Sequence, residues 1–143
     1  MTTATASVQN WSRKALRNAE LVARQAIQEA ATQMTTRQPG VKETGGTFEI
    51  GKVPVDESEL INSQVARING GAVGSGDVSY AAVVAGLDLG DTMEVVFTAP
   101  HARAMEYGFT TRSGSQVPGR FFVREAVQNW PETVAAIAAQ LPD

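Results

Sequence analysis

Between residues 8 and 34 small and apolar side chains return every three or four positions, at Trp11, Ala15, Ala19, Val22, Ala26, Ile27 and Ala30, with Arg, Gln and Glu between them. That spacing lays one face of an α-helix on a core. No Gly or Pro interrupts the pattern, which runs out where Thr35, Thr36, Arg37 and Gln38 lead into Pro39-Gly40. β-branched residues followed by a turn signal end a helix, so residues 1–37 are predicted as an N-terminal helix followed by a loop. The period then changes. Phe48, Ile50 and Val53 alternate within residues 47–53, and residues 78–87 and 93–98 are rich in the β-branched side chains that suit a pleated sheet. Asp88-Leu89-Gly90-Asp91 reads as the hairpin turn between the last two, and Asn69 to Asp77, with four glycines, as a flexible connection before them. Residues 41–100 are thus expected to be mainly strands.

The third part of the chain returns to helix. His101 to Tyr107 reads as a short helix stopped by Gly108, and residues 110–119 as a polar projecting loop containing two glycines and one proline, its tip mobile. From Phe121 onward Val123, Val127, Trp130, Val134, Ile137 and Leu141 form the seam of a C-terminal helix over residues 120–141. Pro131 interrupts that seam, since proline is tolerated only in a first helical turn. Either the helix kinks there or a new one starts, with Asn129 or Trp130 near its cap. The pattern as a whole predicts an α+β fold, an antiparallel sheet of about four strands packed against a long N-terminal helix and a C-terminal helix.

A length of 143 residues fits one domain, residues 1–143, and a hydrophobic fraction of 43% with 19% charged residues argues against disorder. The chain has no cysteine, which removes disulfides, thiolate metal sites and thiol nucleophiles. The first residues lack the basic start and apolar core of a signal peptide, and no apolar run approaches the roughly 18 residues of a membrane span, so a soluble protein without membrane partners is expected. Charge is uneven: residues 11–37 hold five basic and two acidic side chains, residues 38–99 three basic and nine acidic. A basic surface on one subunit can meet an acidic one on the next, although solvated faces alone would leave the same record.

Candidate chemistry is sparse. The cluster Gly71-Ala72-Val73-Gly74-Ser75-Gly76 lacks the Gly-Lys-Ser/Thr of a phosphate loop and reverses the order of the dinucleotide pattern. His101 is the lone histidine, with no second imidazole and no serine-histidine-acid constellation in sequence. Asp88 and Asp91, or Asp56, Glu57 and Glu59, sit beside turns and helix starts, where acids are expected as caps. An acidic chain with 6% aromatic residues offers no basic, stacking track for nucleic acid beyond the first helix, and the mostly alanine face of that helix would bury little area in lipid.

Two stretches carry a resemblance. His101-Ala102-Arg103-Ala104-Met105-Glu106-Tyr107-Gly108-Phe109-Thr110, a variable polar loop, and then Pro118-Gly119-Arg120-Phe121-Phe122-Val123-Arg124-Glu125-Ala126 are similar in order and spacing to the tail-completion, or head-tail joining, family of long-tailed bacteriophages. Pro54-Val55-Asp56-Glu57-Ser58-Glu59-Leu60-Ile61-Asn62-Ser63 resembles a second motif of that family, with Glu57-Ser58 in place of the usual Thr-Gly, and His101 replaces the usual tyrosine. The matched regions span Pro54 to Trp130. The resemblance implies a structural virion protein, not an enzyme and without cofactor or metal. It would be made in the host cytoplasm and built into the neck as a ring subunit, six-fold in expectation. Its partners would be other copies of itself, neck or connector proteins, and tail-tube or tail-terminator proteins, with passive contact to DNA in the channel. A tail terminator is the alternative within that class. A small-ligand-binding protein or small hydrolase is the alternative outside it, and a hydrolase would gather His101 with a carboxylate and a hydroxyl in a cleft.

The residues that carry the resemblance are Asp56, Leu60, Glu106, Tyr107, Gly108, Phe109, Thr110, Pro118, Arg120, Phe121, Phe122 and Arg124. Gly108 is expected to leave its helix with positive φ. Glu106 is expected to accept from loop amides or to pair with Arg120 or Arg124, and Phe121 and Phe122 to plug the last helix into the core, each ring contributing on the order of 2 kcal/mol. A rigid base would then carry residues 110–117 toward a neighbouring ring.

Overall fold

In the computed structural model, which describes residues 4–40, 48–55 and 58–141, the opening apolar stripe becomes helix α1 (Ala4–Met34). The last carbonyls of a helix lack intrahelical donors. Here threonines supply them: Thr35 Oγ1 donates to Ala31 O at 2.7 Å and Thr36 Oγ1 to Thr32 O at 2.8 Å. The chain then pairs β1 (Arg37–Pro39) in parallel with β2 (Val53–Val55). The strand predicted over 47–53 therefore begins where it was expected to end. Thr47 lies outside the described residues, and the turn before β2 is held by Gln38. Its buried amide donates to Glu49 O at 2.8 Å and Lys52 O at 2.6 Å and accepts from Glu49 N at 2.9 Å. That clamp bends 49–52, so the alternation of Phe48 and Ile50 is not expressed as a pleat.

After a 3-10 turn (Ile61–Ser63) comes the central antiparallel sheet of β3 (Gln64–Ile68), β4 (Gly71–Gly76) and β5 (Met93–Phe97), in the order β4-β3-β5. Strand pleating sends alternate residues to opposite faces. Gln64, Ala66 and Ile68 stand opposite Phe97, Val95 and Met93, while on the other face Arg67 is opposite Glu94 and pairs with it at 2.8 Å. Two expectations are corrected here. Residues 69–77 are not a flexible connection but a tight turn followed by a strand: Asn69 and Gly70 both take positive φ, 51° and 83°, as a hairpin turn requires. Gly74 of β4 admits a neighbour, since a Cβ there would sit 3.1 Å from Val78 Cγ1.

The second correction concerns residues 78–87, expected as a strand, which contain helix α2 (Tyr80–Ala85). Tyr80, Val83, Val84 and Leu87 are all buried. Their i, i+3, i+4, i+7 spacing is that of a helix face, and it prevails over the β-preference of two valines. Asp88 to Asp91 therefore turns a helix into β5 and is not a hairpin. Asp91 Oδ2 accepts from Asp88 N at 2.9 Å, and Oδ1 from Asn69 Nδ2 at 2.8 Å.

The remaining elements are α3 (Ala102–Tyr107), the antiparallel pair β6 (Gly108–Thr110) and β7 (Gln116–Pro118), α4 (Phe122–Gln128) and α5 (Trp130–Ala138). The expected C-terminal helix is thus two, the second opening with Asn129 at its cap position and Pro131 in its first turn. Five helices and seven strands among the described residues make a mixed α+β fold. The second half of α1 packs along α2, α4 and α5. One core cluster joins Ala31 of α1 to Ala66, Tyr80 and Val83, and the other joins Val53, Leu60, Ile61, Ala99 and Phe122. No described helix is long and apolar enough to cross a membrane.

Candidate functional site

The two halves of the longer resembling stretch meet where α3 ends and α4 begins. Gly108 leaves α3 with φ 89°. A Cβ there would lie 2.6 Å from Val117 O and 2.7 Å from Gly119 N, and one on Gly119 would press on Glu106 O and come within 2.6 Å of Tyr107 C. Two glycines thus let two backbones cross in contact at the foot of the β6–β7 pair, which no side chain would allow. The crossing is hydrogen-bonded: Arg120 N donates to Met105 O at 2.8 Å and Phe121 N to Glu106 O at 3.1 Å, using carbonyls that the end of α3 leaves open.

Phe121 then takes a left-handed conformation, φ 51° and ψ 39°, at the cap position of α4, and no side chain of its own caps the helix. Glu106 supplies the cap from across the crossing. Its buried carboxylate accepts from Val123 N at 3.0 Å and from Arg124 N at 2.8 Å, the open amides of the first turn of α4. A negative group at a helix N-terminus is favoured by the dipole as well as by the bonds. The acceptor role expected of Glu106 is thus met by helix amides, and neither Arg120 nor Arg124 is its ion-pair partner. Arg124 lies over the ring of Phe121, 5.1 Å from its centre.

Arg120 is 2% exposed, with its guanidinium 4.1 Å from the ring centre of Phe48 and Nη1 donating to Pro118 O at 2.6 Å. Burial lowers its pKa from the ordinary value, because desolvation disfavours the charged form. Gly51 N donates to Arg120 O at 2.7 Å, so the turn held by Gln38 closes over the same spot.

Of the other predicted residues, Phe122 is buried and meets Phe97 edge-on, centroids 5.2 Å apart at 72°, and Leu60 shares its cluster. Phe121 is only half-buried and does not join the core, a correction to the expected pair of plugs: its left-handed backbone turns the ring under Arg124. Tyr107 is 65% exposed, with Arg103 5.9 Å from its ring centre. Phe109 and Thr110 lie on β6, opposite Val117 and Gln116, and Pro118 is opposite Gly108. Asp56 lies outside the described residues. The segment expected as a polar loop is this two-stranded ribbon, and its tip is hydrogen-bonded: Thr111 N donates to Ser115 O at 2.8 Å and Gly114 N to Thr111 O at 3.0 Å.

Gly119, Gln38, Phe48 and Gly51 complete the site, although none of them is among the site residues expected from the sequence. Gly119 had a signal, its place beside Pro118 ahead of a helix, but which glycine it would cross is visible only in three dimensions. The arrangement is a brace: Glu106 gives both carboxylate oxygens to backbone amides, Arg120 gives Nη1 to a backbone carbonyl while its buried Nε has no hydrogen-bond partner among the described residues, and the ribbon is held out from this foot. His101 stands at the cap position of α3 without a side-chain capping bond, and among the described residues no group of three or more His, Asp or Glu is placed to hold a metal. No family model, curated protein or solved structure matches the chain.

Proposed function

We propose that this chain is a structural, non-enzymatic virion protein of the neck of a long-tailed bacteriophage, a ring subunit that completes the tail end and joins it to the head. The observation that carries the reading is the convergence of Glu106, Gly108, Gly119, Arg120 and Phe122, from the two halves of the longer resembling stretch, on one brace beneath a projecting ribbon. The ribbon suits contact with a partner. Both outer edges of β6–β7 are unpaired among the described residues, and Tyr107 stands exposed at its foot. Free strand edges and exposed aromatic side chains are what one assembly surface offers another.

The reading is tested by the native mass of the purified protein, alone and mixed with purified heads and tails of the phage that encodes it. Rings, or uptake onto either particle, are expected. A monomer that binds neither would overturn the proposal. Binding to the tail tube alone, without heads, would identify a tail terminator instead.

A further inference from the structure

We infer that the first half of α1, residues 4–19, docks in the groove between α1 and α5 of a second copy of this chain, so that copies join head to tail. The inference supplies the subunit contact that the ring reading needs and rests on that reading only for closure of the chain of copies into a ring.

The helix is continuous over 31 residues, about 46 Å at 1.5 Å per residue, and packs along α2, α4 and α5, yet its buried residues, Ala26 and Ala31, both lie in its second half. Val8, Trp11 and Leu16 are 64%, 71% and 58% exposed. At 100° per residue Val8, Ala15 and Ala19 align with buried Ala26, and Leu16 with Ile27 and Met34. The face buried inside the body thus runs on, bare, along the arm, with Trp11 at its edge. A stripe of this kind is built to lie against other helices.

Charge names the occupant. From Ala4 to Ala19 the arm carries Arg13, Lys14 and Arg17 and no acid, and none of the three forms an ion pair with a described residue. The groove, about 650 Å³, is lined mainly by polar side chains, among them Glu29 and Gln33 of α1 and Glu132 of α5, with Ala136 and Ile137 of α5 as its apolar members and no cation in its walls. Gln33 Oε1 is buried there without a donor among the described residues. The groove thus offers two carboxylates in mainly polar walls, with Ala136 and Ile137 as apolar contacts, to a guest that brings cations and an apolar stripe. Such a guest is an amphipathic helix seated between two others. The arm cannot reach its own groove, because both lie along one unbroken helix and the groove begins at Gln25. Each copy therefore has a free arm and a free groove at different places, and the contact repeats from copy to copy.

The absence of cysteine makes the test clean. Copies carrying Ser12→Cys and copies carrying Ala136→Cys are mixed and oxidised, at the highest concentration the protein tolerates and in the presence of heads and tails. Disulfide-linked dimers between the two variants are expected, and a ladder of higher oligomers from a chain carrying both substitutions. Reversing charge with Arg13→Glu and Arg17→Glu, or with Glu29→Lys and Glu132→Lys, should each weaken association about tenfold or more, and mixing the two variants should restore it. Circular dichroism of each variant confirms that its helices are intact. Association that persists unchanged in both charge variants, with no cross-link between the cysteine variants, overturns the arm contact while leaving the ring reading in place. A wild-type chain that neither self-associates nor binds heads or tails overturns both. Capture of the arm by anionic vesicles or duplex DNA, in place of a second copy, also overturns the contact.

Discussion

Glu106 is one carboxylate with two backbone obligations on another element, so its loss should be felt beyond its own helix. Replacing it with alanine leaves Val123 N and Arg124 N without acceptors beside a left-handed Phe121, and about 2 kcal/mol of stability should go in urea unfolding. Glu106→Gln keeps one acceptor oxygen and should lose about half as much. A second residue-scale device is buried in the sheet. Tyr80 donates to Gln64 Oε1 at 2.6 Å, and Gln64 Nε2 to Ile61 O at 2.7 Å, a buried relay that ties α2 to β3. Burial, and secondarily the charge of Asp77, pushes the Tyr80 phenol up to about 12 from 10.0. The group is held protonated more firmly in the folded than in the unfolded chain, so its contribution is complete below pH 10.0 and is lost as pH rises toward about 12. In a Tyr107→Phe background, which leaves Tyr80 as the single tyrosine, absorbance titration should show ionisation near the upper value together with loss of structure; a midpoint near 10.0 in the folded protein would refute the burial of the phenol.

At the scale of elements, the ribbon and the last helices depend on a crossing that admits no side chain. Gly119→Ala places a methyl against Glu106 O and Tyr107 C, both backbone, so nothing cheap can move aside. A loss on the order of 3 kcal/mol is expected, since strain of this kind belongs to the severe class of single substitutions. Gly114→Ala, at the ribbon tip with open space around its Cβ, carries only the penalty of its positive φ and should lose about 1 kcal/mol. Thermal melts of the pair, side by side, separate the crossing from the general cost of replacing glycine. Residues 78–87 belong to this scale too, and contain a helix where β-branched residues favour a strand. Three valines suggested a strand, but the four buried positions at helical spacing were there in the sequence, and Ser79 and Gly86 stand where a helix begins and ends. Likewise Asn69-Gly70 is a strong hairpin dipeptide, masked by the run of glycines after it. Those glycines are a strand because β3 pairs with them along its whole length.

The whole molecule is asymmetric along α1. Its second half is enclosed by three helices, whereas residues 4–19 make a helix of about four turns with no such cover, a length marginal for an isolated helix in water. Amide hydrogen exchange of the separated chain should therefore be faster by orders of magnitude over residues 4–19 than over 22–34. On assembly the arm should gain protection, and equal protection of the two halves in the monomer would contradict the packing described. The second half is also tied to the segment that follows α2 through Arg24, whose Nε donates to Leu87 O at 2.7 Å and whose Nη2 pairs with Asp88 at 3.5 Å.

By itself the sequence determined the elements whose signal is local: the long first helix, its stop at the threonines, β5, the short helix ended by Gly108 and an interruption at Pro131, where it left a kink and a restart both open. It also carried, in the order of a few motifs, the resemblance from which the neck reading comes. Tertiary structure alone decided what those motif residues do. That Glu106 caps a helix seventeen residues away, that Gly108 must cross Gly119, that Arg120 lies on Phe48 and that Phe121 stays out of the core are facts of contact between distant segments. Periodicity records which side of an element faces inward. It holds no record of which backbone passes beneath which, because that is set by packing of elements whose separation in the chain the local pattern does not encode.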